Sequence, residues 1–172
     1  MKNHLGSKNL IPAFLLTACL LTNGLHAWTW TGQTGAVNDI ALGDLVDDNV
    51  VQANEPTYIN YSVDLAAQTY DIYIPFSYDG IQPFGLISFI NSGNNGAPPD
   101  AYLAALEEKN IIWIGGNNIG NPIDIKTRSG VAIGAIYRAM ELFNIDPARV
   151  YGCGNSGGGA LRGQTSREAN DT

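Results

Sequence analysis

The amino-acid sequence predicts an α/β fold whose sheet is mostly parallel, with an antiparallel hairpin on its N-terminal side. Continuous apolar runs of strand length occur at residues 84–90 (FGLISFI), 110–116 (NIIWIGG) and 148–154 (ARVYGCG). Runs of this kind are typical of strands that are buried on both faces. Segments with helical periodicity separate them, and a sequence that could begin a helix follows the last. The resulting β-α-β-α-β-turn-α order predicts a parallel sheet with right-handed crossovers.

The antiparallel hairpin is predicted upstream of these runs, from residues 56–64 (PTYINYSVD) and 68–76 (QTYDIYIPF). Both are rich in Tyr, Val and Ile, and the second alternates in the way that a half-exposed strand does. The short connection between them favours pairing at a sheet edge. Residues 28–55 are rich in Gly, Asn, Asp and Thr. We expect them to form an N-terminal extension with at most one short strand.

Two helices are predicted between the buried strands, at residues 100–109 (DAYLAALEEK) and 129–144 (SGVAIGAIYRAMELFN). The second has the clearest apolar face at helical spacing, and Ser129 is a suitable residue for its N-cap. Asp146 follows this helix and precedes a proline. We therefore expect Asp146 to form a turn with its own backbone and to have no part in catalysis.

Residues 1–27 have the three-part layout of a secretory signal peptide. Two lysines and no acidic residue lie at its start, and an apolar run at residues 10–21, too short to span a bilayer, follows them. Cleavage after Ala27 is the preferred interpretation and predicts a secreted or periplasmic protein. The lipobox-like sequence LTAC, which ends at Cys19, gives a lipid-anchored protein as the alternative. No other membrane contact is expected.

Once residues 1–27 are removed, the chain keeps 7 basic against 16 acidic side chains, a net charge near −9. Such a surface repels the phosphates of nucleic acids, so no nucleic-acid partner is expected. Only Cys153 then remains as a thiol, which excludes an intrachain disulfide. Because Cys153 lies within a predicted buried strand, we expect it to serve in packing.

The stretch VYGCGNSGGG (150–159) contains two overlapping motifs with different chemistry. Gly152, Gly154 and Gly157 form G-x-G-x-x-G, the phosphate-binding loop of dinucleotide-binding folds. That loop normally follows the first strand of its domain and requires an acidic residue about 20 positions later. Here at least two strand–helix units precede the loop, and the sequence ends at Thr172. A dinucleotide-binding loop is therefore disfavoured, because the motif does not follow the first strand and the sequence ends where the acidic residue is required.

The second motif is G-x-S-x-G, formed by Gly154, Ser156 and Gly158. It presents a catalytic serine on a turn between a strand and a helix that is too tight for bulky side chains two positions away on either side. The predicted strand ending at residue 154 and the helix-forming sequence after it supply this context. The sequence therefore favours Ser156 as a nucleophile on this tight strand-to-helix turn, residues 154–158, which we call the elbow. Gly154 and Gly158 are small enough to permit it.

An elbow of this type needs two backbone N–H groups that bind the oxyanion of the tetrahedral intermediate. The residue after the nucleophile, Gly157, is placed to supply one of them. The second should come from the loop after an earlier strand. Ser92 and Gly93 follow the strand at 84–90 and are the candidates for this role.

Over residues 68–161 the chain resembles a secreted α/β-hydrolase of the esterase and polyhydroxybutyrate-depolymerase type. The resemblance is carried by YDIYIP (70–75), by FINSG (89–93) at the end of an apolar strand, and by NIDPARVYGCGNSGGG (144–159). It implies that residues 56–172 form the N-terminal part of an α/β-hydrolase fold. It also implies a small-molecule or polymeric ester as substrate and no cofactor or metal.

Two positions depart from the family pattern. Ser92-Gly93 stands where members often have His-Gly, and Asn155 stands where His or Tyr is usual inside the elbow. Three alternatives to an esterase remain at this point. They are a serine peptidase, which shares the elbow, a non-catalytic exported α/β remnant or binding protein, and a nucleotide-binding protein.

The sequence lacks the partners that activate a serine nucleophile. In α/β-hydrolases an Asp or Glu and then a His follow the serine. The only acidic residues after Ser156 are Glu168 and Asp171, and no histidine follows it. The two histidines of the sequence, His4 and His26, both lie within residues 1–27. We therefore expect a truncated hydrolase, cut after its nucleophile elbow and inactive by itself.

Overall fold

The computed structural model describes residues 28–43 and 66–161. Two α-helices, five strands and a final 3₁₀-helix lie in this part of the chain. In chain order they are β1 (Gly35–Ala41), β2 (Thr69–Ile74), β3 (Phe84–Ile90), α1 (Asp100–Lys109), β4 (Ile111–Gly116), α2 (Ile125–Leu142), β5 (Ile145–Gly154) and η1 (Ser156–Leu161). No helix within the described ranges is long and apolar enough to cross a bilayer.

The five strands form one sheet in the order β1-β2-β4-β3-β5. β3 pairs in parallel with β4 and with β5, whereas β2 is antiparallel to both β1 and β4. Four of the five strands therefore run in one direction and only β2 opposes them. The predicted α/β class with a mostly parallel sheet is confirmed, and the arrangement is consistent with part of an α/β-hydrolase fold.

The antiparallel pairing differs from the predicted hairpin. β2 pairs with β1 on one side and with β4 on the other, so both of its edges are occupied. The predicted pairing of residues 68–76 with residues 56–64 is wrong for this reason, and 56–64 itself lies outside the described residues. The strand that replaces it, β1, lies within residues 28–55, which the sequence indicated as an extension with at most one short strand.

Each face of the sheet packs against one helix, which explains why the strands are continuously apolar. On one face, Ile72, Leu86 and Ile114 lie in a core cluster with Val131 and Ala135 of α2. On the other face a smaller cluster contains Tyr73 and Trp113 of the sheet and Leu106 of α1. Successive strand residues point to opposite faces, so apolar side chains are needed at nearly every position.

Helix α2 begins four residues earlier than the sequence predicted. Its N-cap is Asp124, whose Oδ1 accepts a hydrogen bond from the Lys126 N–H at 2.9 Å. The predicted N-cap, Ser129, instead lies inside the helix, where its Oγ donates to the Ile125 carbonyl at 2.9 Å. The prediction failed because both residue types are good caps, and the apolar periodicity becomes clear only after Ser129.

Strand β5 is also longer and more exposed than predicted. It begins at Ile145 and includes Pro147, which a strand tolerates at a sheet edge, where one side of the backbone needs no partner. β5 pairs only with β3 among the described strands, and Tyr151 is 43% exposed. The prediction of a fully buried third strand is therefore wrong.

Candidate active site

The turn from β5 into η1 is one residue long. β5 ends at Gly154 and η1 begins at Ser156, so only Asn155 separates the strand from the helix. Ser156 has φ +47°, in the left-handed region that costs a non-glycine residue about 1–2 kcal/mol. The residue is exposed. Backbone strain is thus concentrated at the residue whose hydroxyl the sequence predicted to be the nucleophile.

The two flanking glycines are required by close backbone contacts. A Cβ on Gly154 would lie 2.5 Å from the carbonyl carbon and oxygen of Gly158 and 2.9 Å from the Ile90 oxygen. A Cβ on Gly158 would in turn overlap the Ile90 carbonyl. The chain therefore doubles back on itself around Ser156 and packs against the end of β3. This is the geometry for which small residues at both positions were expected.

The structure brings the elbow into direct contact with the loop that follows β3. The Asn155 N–H donates to the Ile90 carbonyl at 3.2 Å, and the Gly158 N–H donates to the Asn155 carbonyl at 2.8 Å. The Ser92 N–H donates to Oδ1 of Asn155 at 2.7 Å. Ser92 and Ser156, which are far apart in sequence, consequently belong to the same small region of the surface.

Both predicted donors of the loop already have acceptors. Besides the Ser92 N–H on Asn155, the Gly93 N–H donates to Oδ1 of Asn91 at 3.1 Å. The Ser92 carbonyl accepts from the Asn121 N–H at 2.9 Å. A substrate oxyanion would have to compete with a side-chain amide oxygen for either loop N–H. The Gly157 N–H differs, because N–H groups in the first turn of a helix have no acceptor within that helix.

A buried arginine lies behind this loop. Arg128 is only 3% exposed, and its Nη2 donates to the Asn91 carbonyl at 3.0 Å, while its Nε has no hydrogen-bond partner. Burial lowers the pKa of its guanidinium below the usual value. A Cβ built on Gly157 would lie 3.3 Å from Nη1 of Arg128 and would overlap the Asn121 side-chain oxygen. Positive charge therefore lies close to Gly157, whose N–H is a candidate oxyanion donor.

Arg128 is the residue of this region that the sequence analysis missed. It belongs to α2, whose start was predicted at residue 129, so Arg128 lay outside the predicted helix. The signal that could have found it is its place directly before the apolar face of the helix, with Val131 and Ala132 one turn further along. A cation at that position must point toward the sheet.

The two residues that were assigned structural roles both lie in β5. Asp146 does not lie in a separate turn before the strand, but its Oδ1 accepts the Ala148 N–H at 3.0 Å, a local side-chain-to-backbone bond of the expected kind. Cys153 is half-buried in β5 and forms no disulfide. Together with Gly154, Phe89 and Trp113 it lines a mainly apolar cavity of about 420 Å³ between β5 and α1.

No described residue can act as an imidazole base for Ser156, because His4 and His26 both lie outside residues 28–43 and 66–161. Within the same ranges there is no group of three or more His, Cys, Asp or Glu side chains that could hold a metal ion. The described part of the chain thus contains a candidate nucleophile and candidate oxyanion donors, but no histidine that could act as a general base.

No known protein family model and no curated protein matches the sequence. Among solved structures, the chain is similar to a thermostable esterase at 18% identity and a TM-score of 0.41, over 56% of this chain and 33% of that one. It is also similar to a protein from Bacteroides ovatus described as a dipeptidyl aminopeptidase IV, at 13% identity and a TM-score of 0.40. That match covers 51% of this chain and 15% of the other. The chain spans a third or less of the length of both proteins.

Proposed function

We propose that the chain belongs to a serine hydrolase that cleaves carboxylic esters with Ser156 as its nucleophile. The observation that carries this proposal is the conformation of Ser156, an exposed non-glycine residue at φ +47° between a strand and a helix. Gly154 and Gly158 allow the strand and the helix to approach closely on either side of it. Strain of this kind persists when the surrounding structure enforces it, and it is common at catalytic residues.

In the proposed reaction the Ser156 hydroxyl oxygen attacks the ester carbonyl carbon while its proton passes to a base. The carbonyl oxygen gains negative charge and accepts a hydrogen bond from the Gly157 N–H. A second N–H, that of Gly93, reaches the same oxygen once its Asn91 acceptor yields, while the Ser92 N–H stays bound to Asn155. The buried guanidinium of Arg128 favours negative charge at this position. Collapse of the intermediate then expels the alcohol and leaves an acyl group on Ser156.

The base and its orienting acid are proposed to come from sequence that follows the elbow in a longer polypeptide. In the α/β-hydrolase order an acid and then a histidine come after the serine. The histidines present here, His4 and His26, precede it. Ser156 in the present chain should consequently react slowly. The proposal includes export of the protein, with Cys19 lipidation as the alternative to release, and a small or polymeric ester as its substrate.

Labelling by a fluorophosphonate, followed by peptide mapping, tests this function. The serine oxygen attacks phosphorus, fluoride leaves, and the serine proton is lost to a base. Imidazole added to the solution can supply the missing base. We expect slow labelling without imidazole and a labelling rate at Ser156 that rises with imidazole concentration. Labelling should disappear in Ser156→Ala.

Ser129→Ala provides the matched control, because its hydroxyl is buried within α2 and donates to a backbone carbonyl. It should label at Ser156 as the unchanged protein does. Equal labelling of several surface serines, or an imidazole response that survives in Ser156→Ala, would refute the assignment of the nucleophile. Circular dichroism would detect unfolding of the Ser129→Ala variant, and Ser77→Ala, whose hydroxyl donates to Oδ1 of Asn110 at an exposed position, would then replace it as the control.

A further inference from the structure

We infer that Asn155 is the positioning residue that holds the oxyanion loop, residues 91–93, at a fixed distance from the nucleophile. Asn155 contacts this loop through two hydrogen bonds of opposite direction. Its backbone N–H donates to the Ile90 carbonyl at 3.2 Å, and its side-chain Oδ1 accepts from the Ser92 N–H at 2.7 Å. One residue of the elbow therefore bridges the last residue of β3 and the second residue after it.

Two backbone carbonyls of the loop are held by other segments of the chain. The Asn121 N–H donates to the Ser92 carbonyl at 2.9 Å, and Nη2 of Arg128 donates to the Asn91 carbonyl at 3.0 Å. The Ser92 peptide is thus bound through its carbonyl by the segment after β4 and through its N–H by the elbow. Of these bonds, the one from Asn155 connects the loop directly to the residue before Ser156.

The role of this bond in the proposed reaction follows from preorganisation. Oxyanion donors stabilise the transition state only when they are already in place as charge develops, and a displacement of about 1 Å can cost two orders of magnitude in rate. We call the hydrogen bond from the Ser92 N–H to Oδ1 of Asn155 the clamp. An amide side chain suits it because the amide oxygen accepts a hydrogen bond without adding charge beside a developing anion. The effect of the clamp on reaction rate rests on the proposed function, whereas the hydrogen bond itself can be tested without any reaction.

Amide hydrogen exchange and NMR spectra of the full chain test the clamp without any reaction. In Asn155→Ala the Ser92 amide should exchange about five- to tenfold faster, the factor that corresponds to one hydrogen bond of ordinary net strength. In Asn155→Asp the carboxylate can still accept from Ser92. Its pKa should then fall below the usual value of about 3.9, because the charged form is hydrogen-bonded, and the Ser92 amide resonance should titrate with it.

Asn95 provides the matched control, since its Oδ1 accepts a bond of the same length, 2.7 Å, from the Ala97 N–H in the same connection between β3 and α1. It bridges no separate elements. Asn95→Ala and Asn95→Asp should leave the exchange and titration of Ser92 unchanged and should alter only Ala97. Unchanged Ser92 exchange in Asn155→Ala, together with no titration of Ser92 in Asn155→Asp, would overturn the inference.

The rate of fluorophosphonate labelling at Ser156 with imidazole separates positioning from a merely structural contact. Asn155→Ala should lower it about tenfold, and Asn95→Ala should not change it. Asn155→Asp should give an intermediate rate, because its carboxylate still accepts from the Ser92 N–H but its charge opposes the developing anion. If no variant labels at all, the proposed function fails while the exchange data still decide the clamp. If Asn155→Ala labels as fast as the unchanged protein, the positioning role is wrong even when the hydrogen bond is present.

Discussion

Replacement of Gly154 by alanine should destabilise the elbow through an overlap with backbone atoms that no side-chain movement can relieve. The new Cβ would lie 2.5 Å from the carbonyl carbon and oxygen of Gly158, about 0.9 Å closer than an ordinary contact begins. Both obstacles are backbone atoms, and the Asn155 N–H bond to Ile90 holds the turn against the sheet. Overpacking typically costs 1–3 kcal/mol. Because no flexible side chain can move aside, we expect Gly154→Ala to lower the free energy of unfolding by about 3 kcal/mol.

Urea unfolding followed by circular dichroism measures this cost. For a urea dependence of about 2 kcal/mol per molar, the unfolding midpoint of Gly154→Ala should fall by about 1.5 M. Gly159→Ala is the control within the same turn, because its Cβ would lie 3.4 Å from the Gly154 oxygen, at ordinary contact distance. It should shift the free energy of unfolding by less than about 0.5 kcal/mol. Equal effects of the two substitutions would refute the close approach of residues 154 and 158.

Three other predictions concern stability. Ser156→Gly should be more stable to urea than Ser156→Ala by about 1 kcal/mol, because glycine adopts a positive φ without strain, and equal stability would contradict the left-handed conformation. Burial and the hydrogen bond to Glu107 raise the pKa of Tyr73 from 10.0 to about 12. The protonated folded form is therefore favoured below pH 10, and the stability that Tyr73 adds, about 2 kcal/mol, should be lost as the pH rises from 10 to 12. Tyr73→Phe should lack that loss in urea titrations at each pH. Asp124→Ala should cost about 1 kcal/mol through the N-cap of α2, whereas Ser129→Ala should stay within about 0.5 kcal/mol, and the reverse order would restore Ser129 as the cap.

Local patterns predicted the parts of the fold that depend on local sequence. β3 begins and ends at the predicted residues, 84 and 90, because a continuous apolar run bounded by Pro83 and Asn91 leaves no alternative. Helix α1 likewise matches the prediction, at 100–109. The spacing of Gly154, Ser156 and Gly158 indicated a tight turn, and the observed backbone overlap at both glycines is the physical reason for that spacing.

The remaining features depend on contacts between distant parts of the chain. The pairing of β1 with β2 joins residues more than 25 positions apart, and the irregularity between Val37 and Ile40 hides the alternation by which a strand is identified. At that irregularity Asp39 has φ +55°, and its N–H donates to Asp71 in β2 at 2.7 Å. Neither the partner strand nor this bond has a signature in the sequence of β2.

Two features of the candidate site were also outside the reach of sequence reasoning. The bond between the Ser92 N–H and Asn155 connects residues 63 positions apart. Asn155 differs from the residues usual at its position, and nothing local indicates that its amide would reach the loop. The burial of Arg128 follows from the early start of α2 at Ile125, which in turn depends on the cap at Asp124. An error of four residues at one helix terminus thus concealed a cation beside the elbow.

Acetyl transfer from p-nitrophenyl acetate to the protein in the presence of imidazole tests the central claim most directly. Attack by the Ser156 oxygen expels p-nitrophenolate and forms an acetyl ester, and an acid quench that protonates the imidazole stops its hydrolysis before the peptides are mapped. Peptide mass spectrometry should find one acetyl group on the peptide that contains Ser156, and none there in Ser156→Ala. Acetylation confined to lysines, with Ser156 unmodified while circular dichroism shows an intact fold, would contradict the account.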